Sequence, residues 1–126
     1  MSNEREVLLL DDDLMAVMEA EEYLQTGGWS VESLSTPSGA LSKIDYEQPD
    51  ALMVDIEMDQ LDVEELVQTL RSSPDHRDLV IVAFADRPPE ELREYCVDHD
   101  VNGYFSKSMD VSQIAGFLDQ FFEDEG

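Results

Sequence analysis

The residues able to do chemistry in this chain are Asp11, Asp12 and Asp13 at the end of the apolar run LLLDDD, Asp55 at the end of LMVD, and Lys107 in GYFSKS. Carboxylates crowded into one cleft repel one another, and their pKa values rise unless a cation joins them. An all-oxygen site of that kind suits a hard divalent ion that keeps its waters, Mg²⁺ before Ca²⁺. A fixed ammonium beside a carboxylate and a divalent ion is the arrangement that neutralises a phosphoryl group in transfer. In that setting one carboxylate, Asp55, can act as nucleophile and form an acyl phosphate.

Composition decides how much each signal says. The 126 residues hold 31 Asp+Glu against 7 Lys+Arg, a net charge of -24. An acidic triplet is therefore weak by itself, and its position must carry the argument. Lys107 is more specific, because Lys43 is the only other lysine. So negative a surface repels phosphate backbones and anionic lipid heads, which argues against direct nucleic-acid or membrane binding and for cations and basic or neutral partners. The same self-repulsion lowers stability at low salt, and a high-salt habitat is one explanation, since salt screens it.

The single cysteine, Cys96, is expected to be a buried thiol without disulfide or zinc. No apolar stretch reaches bilayer length and MSNEREV lacks the apolar core of a signal peptide, so a cytoplasmic protein is expected. Length and a 42% hydrophobic content support one domain over residues 1–126.

The elements that must position these groups alternate. Apolar runs without helical period predict strands at Glu6–Leu10, Trp29–Leu34, Ala51–Val54, Leu79–Phe84 and Gly103–Ser106. Helical spacing and end signals predict helices at Leu14–Thr26, from Thr36-Pro37 to about Tyr46, at Val63–Leu70, from Pro88-Pro89 to about Val97, and from Ser108 or Asp110 through Phe122. Alternation of this kind demands a parallel sheet covered on both faces. Right-handed crossovers then bring every strand's C-terminus to one edge, where ligands of such sheets bind.

The chain resembles the receiver domains of two-component response regulators through LLLDDD, LMVDIEM, an apolar fourth strand and GYFSKS, in that order and at similar separations. The resemblance implies a flavodoxin-like α/β fold: a doubly wound, five-stranded parallel sheet of order 2-1-3-4-5 with helices on both faces. It implies Asp55 as phosphoacceptor, Asp12 as direct Mg²⁺ ligand, Asp11 as an outer ligand through water, the Glu57 carbonyl as a further ligand, and Lys107 paired with the phosphoryl group. A sensor histidine kinase or phosphotransfer protein would be the donor. A downstream protein would dock on the fourth helix, fifth strand and last helix. No independent enzyme activity is implied beyond Mg²⁺-dependent phosphorylation and dephosphorylation at Asp55. Asp13 receives no role and is expected to be solvated.

Departures from the family pattern are specific. The fourth strand usually ends in Ser or Thr, whose hydroxyl bonds the phosphoryl oxygen; here that position falls on Phe84, or on Ala85 if the loop differs by one. No Ser or Thr lies between Ser73 and Ser106. Ser108 stands where proline usually follows the lysine, and Asp62-Val63 where an Asp-Gly pair is common. Valine tolerates a positive φ badly, so that loop is expected to differ. Tyr104 matches the family's rotameric aromatic switch, and a Tyr104–Phe84 contact could replace the lost coupling. His76 and His99 are expected on the solvated surface.

The alternative to a phosphorylated receiver is a pseudo-receiver, a protein-binding module that keeps the fold and acts without phosphorylation. A haloacid-dehalogenase-type phosphatase would want DxD where this chain has DIE, and a flavodoxin would want a hydroxyl-rich loop after the first strand.

Overall fold

The computed structural model describes residues 4–123; residues 1–3 and most of the acidic tail EDEG lie outside the described residues. The strands are β1 (Glu6–Leu10), β2 (Ser30–Leu34), β3 (Ala51–Val54), β4 (Val80–Ala85) and β5 (Gly103–Ser106). The helices are α1 (Leu14–Thr26), α2 (Ala40–Glu47), α3 (Val63–Arg71), α4 (Pro89–His99) and α5 (Ile114–Asp119). All pairings are parallel and the order is β2-β1-β3-β4-β5. This is the expected doubly wound sheet.

Period-two alternation sends successive strand residues to opposite faces. Leu8, Leu10, Leu52, Val54, Ile81 and Ala83 pack with Ile44 of α2 and Leu66 and Leu70 of α3. Val7, Leu9, Met53, Val82 and Phe84 face the other way, against Val17 and Leu24 of α1 and Ile114 and Leu118 of α5. The central strands therefore read as continuous apolar runs because both sides are core. The helices α1 and α5 approach so closely that a Cβ on Gly27 would collide with the Cβ of Ala115.

Several boundaries differ from expectation for local reasons. The second helix begins at Ala40, not at Thr36-Pro37: Ala40 N–H closes a turn onto the Pro37 carbonyl at 3.1 Å, and Gly39 adopts φ 80°, a left-handed step that precedes the helix. Trp29 lies outside β2, where its indole Nε1 donates to Asp119 Oδ1 at 2.9 Å. Strand β4 starts one residue late because a turn holds Leu79 N–H on the His76 carbonyl. The last helical region is α5 flanked by 3-10 turns at Val111–Gln113 and Gln120–Phe122. His76 is buried, not solvated: its Nε2 lies 2.7 Å from Asp45 Oδ1, tying the turn after α3 to α2.

Candidate functional site

Register assembles the site. Leu10 pairs with Val54, and Asp55 N–H continues the ladder to the Leu10 carbonyl at 2.8 Å. Ala85 pairs with Ser106, and Lys107 N–H donates to the Ala85 carbonyl at 2.8 Å. Asp11, Asp55 and Lys107 are thus the first residues past their strands on one rim of the sheet.

Their side chains meet there. Lys107 Nζ lies 2.9 Å from Asp11 Oδ2, 3.5 Å from Asp55 Oδ2 and 3.7 Å from Asp13 Oδ2. Carboxylate oxygens of Asp11, Asp12 and Asp55 all fall within 4.8 Å of one another. Asp11 and Asp55 are buried, at 1% and 6% exposure, while Asp12 faces solvent. Burial pushes the Asp11 carboxyl up to about 6, against the hydrogen bond from Asp13 N–H and the pull of Lys107. Burial alone would lower Lys107, but its bond to Asp11 and the charges of Asp11, Asp55 and Asp13 leave it raised. The Lys107 ammonium also sits 5.1 Å from the centre of the Phe84 ring.

The donor set fits a hard divalent ion. It is all oxygen, one of its carboxylates is open to solvent, and Asp11 Oδ2 is buried with no hydrogen bond among the described residues to satisfy it beside its ion-pair partner. A buried carboxylate held that way is stabilised by a second cation.

The loops explain the remaining residues. Asp13, given no role by the family pattern, caps α1, with Oδ1 accepting from Ala16 N–H at 3.2 Å, so the acidic triplet divides between site and helix start. Asp55 Oδ1 accepts from Glu57 N–H at 2.9 Å, which fixes the carboxylate plane. The loop after β3 carries its left-handed residue before Asp62-Val63. Asp62 caps α3 through Glu65 N–H, and the left-handed residue is Gln60, at φ 64°, so Val63 avoids a positive φ.

Phe84 and Tyr104 do not touch as anticipated, because alternation puts them on opposite faces of the sheet. Phe84 pairs instead with Phe105, ring centres 6.3 Å apart, and Ala85, fully buried at the end of β4, offers no side-chain donor. Two features were not anticipated. Arg87 Nε donates to Glu57 Oε2 at 2.7 Å, joining the loop after β4 to the loop after β3, and the buried Ser106 hydroxyl donates to the Arg87 carbonyl at 2.6 Å. The sole sequence signal for Arg87 was its rarity as a cation beside an acidic strand end.

Comparison with known proteins agrees with this geometry. The response regulator receiver domain family matches residues 7–119. Response regulator MprA of Mycobacterium avium is 31% identical over 108 residues, covering 86% of this chain, and that of Mycobacterium leprae is 30% identical over the same length. The chain spans about half the length of these curated relatives, 46% of each. Among solved structures, chemotaxis response regulator CheY4 of Vibrio cholerae superposes with a TM-score of 0.82 at 19% identity, covering 94% of this chain and 98% of that one. The receiver domain of sensor histidine kinase PA1611 from Pseudomonas aeruginosa, with a magnesium ion coordinated in its active site cleft, gives 0.79 at 21% identity, with 93% and 96% covered. With the family's match running over nearly all the chain and the acid–lysine cluster sitting at the rim of a 2-1-3-4-5 sheet, this chain belongs to the response regulator receiver domains of two-component signalling.

Proposed function

We propose that this receiver accepts a phosphoryl group on Asp55 from a phosphohistidine of a sensor kinase or phosphotransfer protein. The observation that carries the reading is Lys107 Nζ lodged between Asp11 Oδ2 at 2.9 Å and Asp55 Oδ2 at 3.5 Å. Asp55 Oδ1 is held by Glu57 N–H, which makes Oδ2, beside Lys107, the oxygen that attacks phosphorus. As the O–P bond forms, the P–N bond to the donor imidazole breaks, and that ring leaves neutral, its other nitrogen keeping its proton. Lys107, already fixed beside Oδ2, moves its contact to a phosphoryl oxygen as charge develops there. Asp11 and Asp12, with Asp55 and the Glu57 carbonyl, would hold Mg²⁺. When bound, Mg²⁺ supplies charge neutralisation of the acidic site and of the incoming phosphoryl oxygens. The partner on the output side would dock on α4, β5 and α5.

A second reading, a pseudo-receiver that binds partners without phosphorylation, is favoured by Ala85, which supplies no hydroxyl at the end of β4. Intact mass measurement after incubation with Mg²⁺ and a small acyl-phosphate donor separates the two. A gain of one phosphoryl that disappears in Asp55→Ala is the expected result. An unchanged mass at every donor concentration would favour the pseudo-receiver.

A further inference from the structure

The Arg87–Glu57 pair joins the loop after β4 to the loop after β3, and β4 itself ends in Phe84 and Ala85, which supply no hydroxyl. Arg87 is anchored and poised at once. Its carbonyl accepts the hydroxyl of Ser106, which is 0% exposed and directly precedes Lys107. Its Nε contacts Glu57 Oε2 at 2.7 Å, and its two terminal nitrogens have no hydrogen-bond partner among the described residues. Glu57, in turn, follows Asp55 by two residues and donates its N–H to Asp55 Oδ1 at 2.9 Å. The guanidinium is therefore tied to the loop that carries the phosphoacceptor, with spare donors.

Building on the reading of Asp55 as phosphoacceptor, we propose that Arg87 is this chain's phosphoryl-recognition residue: it exchanges Glu57 for the phosphoryl oxygens on Asp55 and so replaces the missing hydroxyl. Charge favours the exchange. Asp11, Asp12 and Asp55 cluster together, Asp13 and Asp86 line the adjoining cleft, and Lys107 is already shared among Asp11, Asp55 and Asp13. The pair that must break is solvent-accessible, with 36% and 41% of the two side chains exposed, and exposed ion pairs are weak. The contact that forms joins a planar fork to a dianion, which is the strong kind. Because the Arg87 main chain is pinned to Ser106, movement of the guanidinium away from Glu57 uncouples the loops after β3 and β4.

The test uses beryllium fluoride with Mg²⁺ as phosphoryl mimic, titrated into the wild type, Arg87→Ala, Arg87→Lys, Glu57→Gln and Asp55→Asn. Arg87→Ala should weaken fluoroberyllate binding about tenfold to hundredfold, and Arg87→Lys should recover part of it. Glu57→Gln should tighten binding a few-fold, roughly the value of an exposed pair. Mg²⁺ affinity without fluoroberyllate should not change in Arg87→Ala, which separates recognition from general damage. The Arg87 Nε–Hε cross-peak, identified by its loss in Arg87→Lys, should shift when fluoroberyllate binds. Equal affinity in wild type and Arg87→Ala, with an unmoved cross-peak, overturns the role of Arg87 and leaves Asp55 as acceptor. A wild type that binds no better than Asp55→Asn overturns both.

Discussion

Replacing Asp11 by Asn tests whether this carboxylate is held at a cost that a divalent ion relieves. Asp11 is 1% exposed, and burial, ahead of its other influences, pushes it from 3.8 up to about 6. Between those two values the folded protein binds more protons than the unfolded chain, so stability falls as pH rises. Above the folded value the loss is complete. Raising the carboxyl from 3.8 to about 6 corresponds to about 3 kcal/mol as a ceiling, and screening through the neighbouring solvated Asp12 and Asp13 brings the working range to about 1–3 kcal/mol.

Without divalent ions, the stability of Asp11→Asn relative to wild type should therefore improve by about 1–3 kcal/mol between about pH 4 and about pH 8. Glu6, pushed up to about 7 by burial and by Glu47, also loses stability as pH rises, but it does so in both proteins and cancels. Urea unfolding at both pH values, in chelator and in excess Mg²⁺, reads the effect. At a hundredfold excess over its dissociation constant, Mg²⁺ should stabilise the wild type by about 2.7 kcal/mol and the variant far less. A difference between variant and wild type that does not change with pH, or equal Mg²⁺ stabilisation of both, refutes the reasoning.

Lys107→Met strands the buried Asp11 and Asp55 carboxylates, and should cost about 3 kcal/mol in chelator and clearly less in saturating Mg²⁺, read by urea midpoint. Arg71→Ala removes a bolt that ties the end of α3 to the Arg77, Leu79 and Asp100 carbonyls and to Asn102 Oδ1. It should cost about 2–3 kcal/mol, with the first loss of amide protection in α3 and β5. At a net charge of -24, the melting temperature should rise between dilute and molar KCl; a flat response would show that self-repulsion is not limiting.

The chain's fold was legible because its determinants are local. EVLLL, ALMV and VIVAF are apolar runs too short for helices, and Gly27 ends α1, whereas the capping roles of Asp13 and Asp62 emerged only from the structure. The acid–lysine cluster was legible at one remove: parallel strands end on one edge, so residues that follow β1, β3 and β5 share that rim, and the long Lys107 side chain reaches across the end of β4 to the two carboxylates. The start of α2 was not legible, since Thr36-Pro37 reads as a helix opening and only the turn onto Pro37 and the left-handed Gly39 move the start to Ala40.

Amino-acid order alone thus determined the alternation of elements, the doubly wound sheet and the identity of the groups at its rim. Tertiary structure decided which of those groups pair. The side to which Phe84 and Tyr104 point, the burial of His76 on Asp45, and the reach of Arg87 to Glu57 all depend on strand register and on loops that meet across tens of residues. Hydrogen bonds and ion pairs act over a few ångströms, so spacing along the chain cannot reveal them until the backbone has brought their partners together.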